Sequence, residues 1–326
     1  MTRVLGRSGI ECSAIGMGCW AIGGPFFEGD TPVGWGHVDD TESTRAIYRA
    51  LDLGVTLFDT ADVYGAGHSE QVLGTALASQ RSDVIIATKF SNVFDEQTRQ
   101  IIGHDASPEY IEQACEASLK RLRTDYIDLY QFHDGMYPIE QIDEVLASLE
   151  RLVEKGKIRS YGWSTDDPIR ARTFARGAHC SAAQFQMNVL FDASPMVKTC
   201  EKLNLAGLTR GPLAMGLLSG KYTPESVLPD NDVRGPNAPD WMSFFKDGKP
   251  SDEFLTRLGQ VRDILESNGR TLAQGALAWL LARSRVTIPI PGFKTLAQVE
   301  ENADVLSLGG LSDREMQEIA ALLETQ

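Results

Sequence analysis

Four side chains of this 326-residue chain have the types and positions to do chemistry together: Asp59, Tyr64, Lys89 and His133. Asp59 ends the apolar run Val-Thr-Leu-Phe at 55–58, which is entered from Gly54 and reads as a buried strand. Tyr64 follows shortly after, and Gly65 and Gly67 turn the chain toward a helix expected to open at Ser69. Lys89 ends a second run, Val-Ile-Ile-Ala-Thr at 84–88, and His133 ends a third at 126–132. An ammonium at the mouth of a buried strand needs a carboxylate to remain charged, and Asp59 can supply it. A lysine cation near Tyr64 stabilises the phenolate, so the phenol is expected below its reference pKa of ~10. Such a tyrosine can exchange a proton with a substrate oxygen while His133 orients that oxygen by a hydrogen bond. No metal and no covalent nucleophile enters this scheme. The carbon bearing the oxygen therefore needs a redox partner, and a nicotinamide cofactor would supply it as hydride.

These residues share a site only if the strands that carry them lie side by side. The sequence alternates strand-like and helix-like segments along its length. A small hairpin is expected over 3–13, then a first strand over 14–18 that runs into Cys19 and Trp20. Further strands are expected over 55–58, 84–88, 126–132, 160–163, 182–186, 206–209 and 286–290. Helices are expected over 40–53, 69–77, 107–122, 140–154, 167–176, 252–267, 271–283 and 295–306, with one more capped by Ser194-Pro195 and a last one opened by Ser312. Thr271 with Gln274, and Thr295 with Gln298, have the spacing of a capping box. The segments 21–39 and 222–251 are rich in Gly, Pro and Asp and read as long loops.

This alternation implies an α/β fold of parallel β-α-β units, and eight of them imply a closed (β/α)8 TIM barrel with an N-terminal β-hairpin and extra helices. No Gly-x-Gly-x-x-Gly follows the first strand to favour an open doubly wound sheet. One domain over 1–326 is expected. On a barrel the second, third and fourth strands end side by side on one rim, which brings Asp59, Lys89 and His133 together.

The 45 acidic against 31 basic residues leave a net charge of −14, which argues against nucleic acid or a membrane surface as partner. A local basic pocket for a small anion remains compatible with it. Cys12, Cys19, Cys115, Cys180 and Cys200 are scattered, without a Cys-x-x-Cys, and read as reduced thiols. With no apolar export or membrane segment at the N-terminus, a cytoplasmic protein is expected. Nothing in the sequence specifies an oligomer.

Asp59-Thr-Ala-Asp-Val-Tyr64-Gly-Ala-Gly-His-Ser-Glu70, the strand-end Lys89 and Gln131-Phe-His133 resemble the signatures of the aldo-keto reductases. The likeness continues through Gly211-Pro-Leu-Ala-Met-Gly-Leu-Leu-Ser-Gly-Lys221 and Pro289-Ile-Pro-Gly-Phe-Lys294 to Glu301-Asn302, in the family's order. The resemblance implies a (β/α)8 barrel, NADP(H)-dependent interconversion of a small carbonyl compound and its alcohol (aldehyde, ketone, sugar or polyol), and a catalytic tetrad of Asp59, Tyr64, Lys89 and His133. It further implies that Ser164, Thr165 and Gln184 hold the nicotinamide carboxamide. Gly211, Leu213, Gly216, Leu218 and Lys221 would wrap the pyrophosphate. Gly292, Lys294 and Gln298 would receive the adenosine 2′-phosphate at a helix N-terminus, and Glu301 and Asn302 would face the adenine. Trp20 would wall the substrate beside the cofactor.

The chain departs from the family pattern at several positions. Arg210 stands where many members stack an aromatic ring on the nicotinamide, a place a guanidinium plane can also fill. Thr165 stands where many have asparagine, and Asp134-Gly135-Met136 replaces the more usual spacing to the next acidic residue after His133. The loops 21–39 and 222–251 become the expected specificity loops. Two other readings of the same residues are a barrel aldolase with Lys89 as Schiff-base nucleophile and a non-catalytic, NADP(H)-binding redox-sensing subunit. A tightly paired ammonium is a poor nucleophile, and an intact tetrad argues against lost catalysis.

Overall fold

The computed structural model describes residues 1–323. One parallel sheet runs through it, made of β1 (Gly16–Gly18), β2 (Leu57–Asp59), β3 (Ile85–Phe90), β4 (Ile127–Phe132), β5 (Ile158–Ser164), β6 (Cys180–Gln186), β7 (Ala206–Arg210) and β8 (Thr287–Pro289). The sheet closes on itself through a parallel bridge between Gly18 and Gly292, with the Gly18 N–H donating to Pro291 O at 2.9 Å. This closure is why β1 carries glycine: a Cβ on Gly18 would lie 2.7 Å from Ile290 O. The result is the (β/α)8 TIM barrel that the alternation implied.

The helices that shell it are α1 (Asp40–Asp52), α2 (His68–Leu77), α3 (Pro108–Leu122), α4 (Ile142–Glu154), α5 (Pro168–Phe174), α6 (Ser194–Leu203), α7 (Asp252–Leu265), α8 (Leu272–Arg283), α9 (Leu296–Leu308) and α10 (Asp313–Leu323). Local chemistry sets their starts. Asp39 accepts the Thr41 and Glu42 N–H groups ahead of α1, and Ser107 accepts Tyr110 N–H ahead of Pro108. Thr271 and Gln274 form the full reciprocal box at α8. Three expected caps differ. Ser194 is the first residue of α6, and its hydroxyl donates to Asp192. Ser69 lies inside α2, which opens at His68, and its hydroxyl donates to Cys19 O at 2.8 Å, tying α2 to the end of β1. At α9 Thr295 caps the Gln298 N–H, but the Gln298 amide oxygen accepts from Lys294 N–H, one residue outside the expected box.

Inside the barrel, Leu57, Ala87, Leu129, Ala182, Leu208 and Ile288 form an apolar layer. The N-terminal hairpin, Thr2–Val4 paired with Glu11–Ser13, contributes Leu5, Ile10 and Cys12 to the same cluster and plugs its base. Because side chains alternate with period two along a strand, the next inward positions are Asp59, Lys89, Gln131, Gln184 and Arg210. The apolar layer is thus the floor of a polar one. The outward side chains, among them Phe58, Ile86, Tyr130, Phe132 and Trp163, pack beneath the helices.

Segment 21–39 contains a short hairpin, Phe27–Glu28 with Thr31–Pro32, that pairs with a second hairpin inserted after β3, Asn92–Asp95 with Gln100–His104. That second ribbon carries no alternating apolar pattern and was not foreseen. Segment 222–251, expected as a long loop, holds no helix but does carry a short antiparallel pair, Phe245–Lys246 with Lys249–Pro250, and is pinned by buried Val233, Met242, Phe244 and Phe245. The two long segments meet where Val233 N–H donates to Gly34 O at 3.0 Å. Among the described residues no helix is long and apolar enough to cross a membrane.

Gly18→Ala is expected to lower the urea midpoint by an amount equivalent to about 1–3 kcal/mol, since its Cβ meets backbone at the barrel seam. Gly259→Ala, on the open face of α7 with nothing within 4 Å, is expected to raise the midpoint slightly.

Candidate active site

The strand ends bring all four chemistry-bearing residues together. Lys89, fully buried, donates from Nζ to Asp59 Oδ1 at 2.6 Å, to Thr60 O at 2.7 Å and to Tyr64 Oη at 3.2 Å. Its three donors therefore have three oxygens. The other carboxylate oxygen of Asp59 accepts from Gln131 Nε2 at 2.9 Å and Gln184 Nε2 at 2.8 Å. His133 stands edge-on to Tyr64 with ring centroids 6.0 Å apart. Its Nδ1 lies 3.2 Å from the Asn92 side-chain nitrogen. An amide nitrogen can only donate, so Nδ1 accepts and the imidazole proton sits on Nε2.

Tyr64 is placed by two glycines. Gly65 has a left-handed backbone (φ +63°), and a Cβ there would lie 1.9 Å from Gly23 O, so the turn after Tyr64 rests directly on the chain beyond Trp20. Trp20 stacks on the phenol at 5.9 Å, and its indole donates to Val33 O at 3.1 Å. Trp35 and Trp241, from the two long segments, lie 5.3 and 6.1 Å from Trp20. Trp20, expected to wall the substrate, thus stands beside Tyr64.

Burial dominates the electrostatics. It drives the His133 pKa well below the ordinary value, and Lys89 and Arg210 push the same way, so the ring is neutral. Burial pulls the Lys89 ammonium toward neutrality, but Asp59 and Tyr64 outweigh it and the net shift is upward. For Tyr64 burial raises the pKa, Lys89 draws it down and Asp59 raises it, and the net shift is upward. The expected acidic phenol is corrected here: a phenolate loses more by leaving water than it regains from an ammonium already paired with Asp59. Behind the site, buried Glu70 accepts from Thr88 at 2.6 Å and Arg121 at 2.7 Å. Asp62 is held well above the carboxylate range by burial and by Glu70.

The remaining predicted residues form a second group along the rim. Ser164 is in register with Gln184, both buried. Thr165 is engaged by the chain itself, its hydroxyl donating to Gly135 O at 3.4 Å. Arg210 pairs with Asp166 and donates to Gln186 Oε1 at 3.3 Å. After β7 the chain enters a tight turn in which Gly211, Ala214, Met215 and Gly216 all have positive φ. Leu213 is half-buried there, and a Cβ on Gly216 would stand 3.2 Å from the Arg234 guanidinium. Leu218 differs from expectation: its side chain is fully buried in the core and its N–H donates to Leu213 O at 3.1 Å, so it supports the turn from behind. Lys221 is exposed beside the Tyr222 ring.

Lys294, half-buried, donates to Trp35 O, and burial lowers its pKa, with Arg234 and Lys221 adding to the effect against Asp232. Arg234 pairs with Asp232, donates to Met215 O at 2.9 Å and Tyr222 Oη at 2.7 Å, and lies over the Trp35 ring at 4.5 Å. The Trp35 indole N–H is buried without an acceptor among the described residues. Three cations and an unpartnered donor gathered at a glycine turn suit a phosphate-bearing ligand. Gly292 takes the weak donation of Asn302 Nδ2 at 3.5 Å, and Glu301 lies half-buried one residue before. Gln131, Asn92, Thr60, Trp35 and Arg234 were not foreseen as site residues. Strand alternation could have found Gln131, two residues past Leu129; the others depend on loop placement that no local pattern encodes.

The profile of the Aldo/keto reductase family matches residues 14–324, and the chain belongs to that family. The aldo-keto reductase YhdN of Bacillus subtilis is 33% identical over 97% of this chain and 92% of its own length. The solved glycerol dehydrogenase of Gluconobacter oxydans is 31% identical, covering 99% of this chain and 94% of that one, with a TM-score of 0.82. A solved aldo/keto reductase of Klebsiella pneumoniae in complex with NADP and acetate is 26% identical over 98% of this chain and 95% of that one, with a TM-score of 0.69.

The depressed pKa of His133 has a sign. As pH falls through the unfolded value of ~6.5, the unfolded chain binds a proton that the folded chain refuses, so this residue subtracts stability on the acid side. Imidazole nitrogen shifts are expected to show His133 still as the Nε2-protonated neutral tautomer as pH falls through its ordinary value of ~6.5. Conversion near the ordinary value would show that burial does not control it.

Proposed function

We propose that this protein is an NADP(H)-dependent oxidoreductase that interconverts a small aldehyde, ketone, sugar or polyol and its redox partner, with Tyr64 as the proton donor and acceptor. The observation that carries the reading is the single ammonium of Lys89 in contact with both the Asp59 carboxylate and the Tyr64 hydroxyl. A phenol with a raised pKa is protonated at neutral pH, the form that carbonyl reduction needs. As its proton passes to the substrate oxygen, Lys89 stabilises the phenolate left behind, and Asp59 keeps Lys89 charged. His133, with its proton on Nε2, donates a second hydrogen bond to that oxygen. The cofactor supplies hydride to the carbon.

Gln184 engages both amide hydrogens, with Asp59 and Gln131, which leaves its oxygen to accept from the carboxamide of the nicotinamide. Ser164 stands beside it. The turn after Gly211, with Lys221, would take the pyrophosphate, and Lys294 the 2′-phosphate, for which the cation group and the NADP in the Klebsiella relative are the support. Gln298 positions Lys294 through its backbone, and Glu301 and Asn302 border the adenine. Trp20 walls the substrate side, with the loops 21–39 and 222–251 as the specificity elements. An ammonium whose pKa is raised is a poor Schiff-base nucleophile, which disfavours the aldolase reading.

Tyr64→Phe is expected to reduce turnover by roughly 10²–10⁴-fold while NADPH binding, followed by fluorescence, changes little. Retention of most turnover would remove Tyr64 from the proton-transfer role. Lys294→Ala is expected to weaken NADPH by about tenfold and NADH far less. Equal losses for the two would place the 2′-phosphate elsewhere.

A further inference from the structure

We propose that Arg210 makes the site prefer the reduced over the oxidised nicotinamide, by holding a cation beside a ring that is neutral in one form and positive in the other. The inference rests on the nicotinamide lying at the ends of β5, β6 and β7, as proposed above. Leu208 belongs to the apolar floor of the barrel, and Arg210 is the next residue of that strand on the same inward face. It pairs in register with Gln186, two residues beyond Gln184 along β6, so it stands one step above the groups assigned to the carboxamide. Its charge reaches both Tyr64 and His133, adding to the downward shift of the imidazole and opposing the upward shift that burial gives the phenol. A third charge located between those groups is within the same reach.

The other charges near the mouth are matched at short range. Lys89 is paired with Asp59 and His133 is neutral. Among the described residues Arg210 forms its ion pair with Asp166 alone, which is the more exposed of the two and accepts from the Gln186 N–H at 2.7 Å. Water screens Asp166 more than it screens the inward guanidinium, so the pair presents a net positive field to the site. A cationic ring is repelled by that field and a neutral one is not. For carbonyl reduction this loosens the oxidised product relative to the incoming reduced cofactor.

The test is the ratio of dissociation constants, Kd(NADP+)/Kd(NADPH), measured by fluorescence titration at one ionic strength. Both ligands carry the 2′-phosphate, so contacts at Lys294 cancel in the ratio. Arg210→Met is expected to lower the ratio by about tenfold, Arg210→Lys to leave it near the starting value, and Asp166→Asn to raise it. An unchanged ratio in Arg210→Met, or shifts of the same sign in Arg210→Met and Asp166→Asn, would overturn the proposal. If Arg210→Met does not fold, Asp166→Asn decides alone, since a ratio that fails to rise overturns it. The two readings fail separately. A protein that reduces carbonyls with an insensitive ratio sinks the role of Arg210, whereas a sensitive ratio without turnover on a carbonyl panel sinks the catalytic reading.

Discussion

A charged lysine with no exposure to water is the constraint on which the rest of this structure depends. Taking an ammonium and a carboxylate out of water costs several kcal/mol per ion, and the loss is offset only when nearly every donor and acceptor finds a partner. Lys89 and Asp59 meet that condition: three oxygens face the ammonium, and two glutamine amides face the carboxylate oxygen it does not touch. One of those three oxygens belongs to Tyr64. The phenol is thus part of the set that makes the buried pair tolerable, which is why its position is so closely determined.

The barrel is what assembles that set from distant parts of the chain. Asp59, Lys89, Gln131 and Gln184 come from four strands, each two residues above an apolar residue of the floor. The floor, plugged by the N-terminal hairpin, keeps water from reaching the pair from below. The same low-dielectric setting raises the phenol and lowers the imidazole. Tyr64 and His133 therefore rest as two neutral groups, with the Lys89 cation in contact with the phenol.

Loops complete what the strands begin. The turn after β7 owes its shape to left-handed residues packed against Arg234, and Arg234 reaches it from a long segment without a helix. Trp35 and Lys294 come from opposite ends of the chain and meet there. These contacts are side chain to side chain or side chain to carbonyl, and nothing in the local sequence announces them.

The sequence by itself determined the barrel, the order of its strands, and which residues stand at the strand ends, because period-two and period-3.6 patterns record which face of each element avoids water. The motif residues Asp59, Tyr64, Lys89 and His133 were legible for the same reason: polar residues interrupting apolar runs mark a rim. Tertiary structure alone decided the sign of the Tyr64 shift, since desolvation depends on everything that surrounds a group and a neighbouring charge is only one part of that. It also decided that Asn92 fixes the His133 tautomer, that Leu218 faces the core, and that Arg210 shares its field with Asp166. Each of these follows from distances between residues far apart in the chain, and a linear sequence carries no record of such distances until the chain has folded.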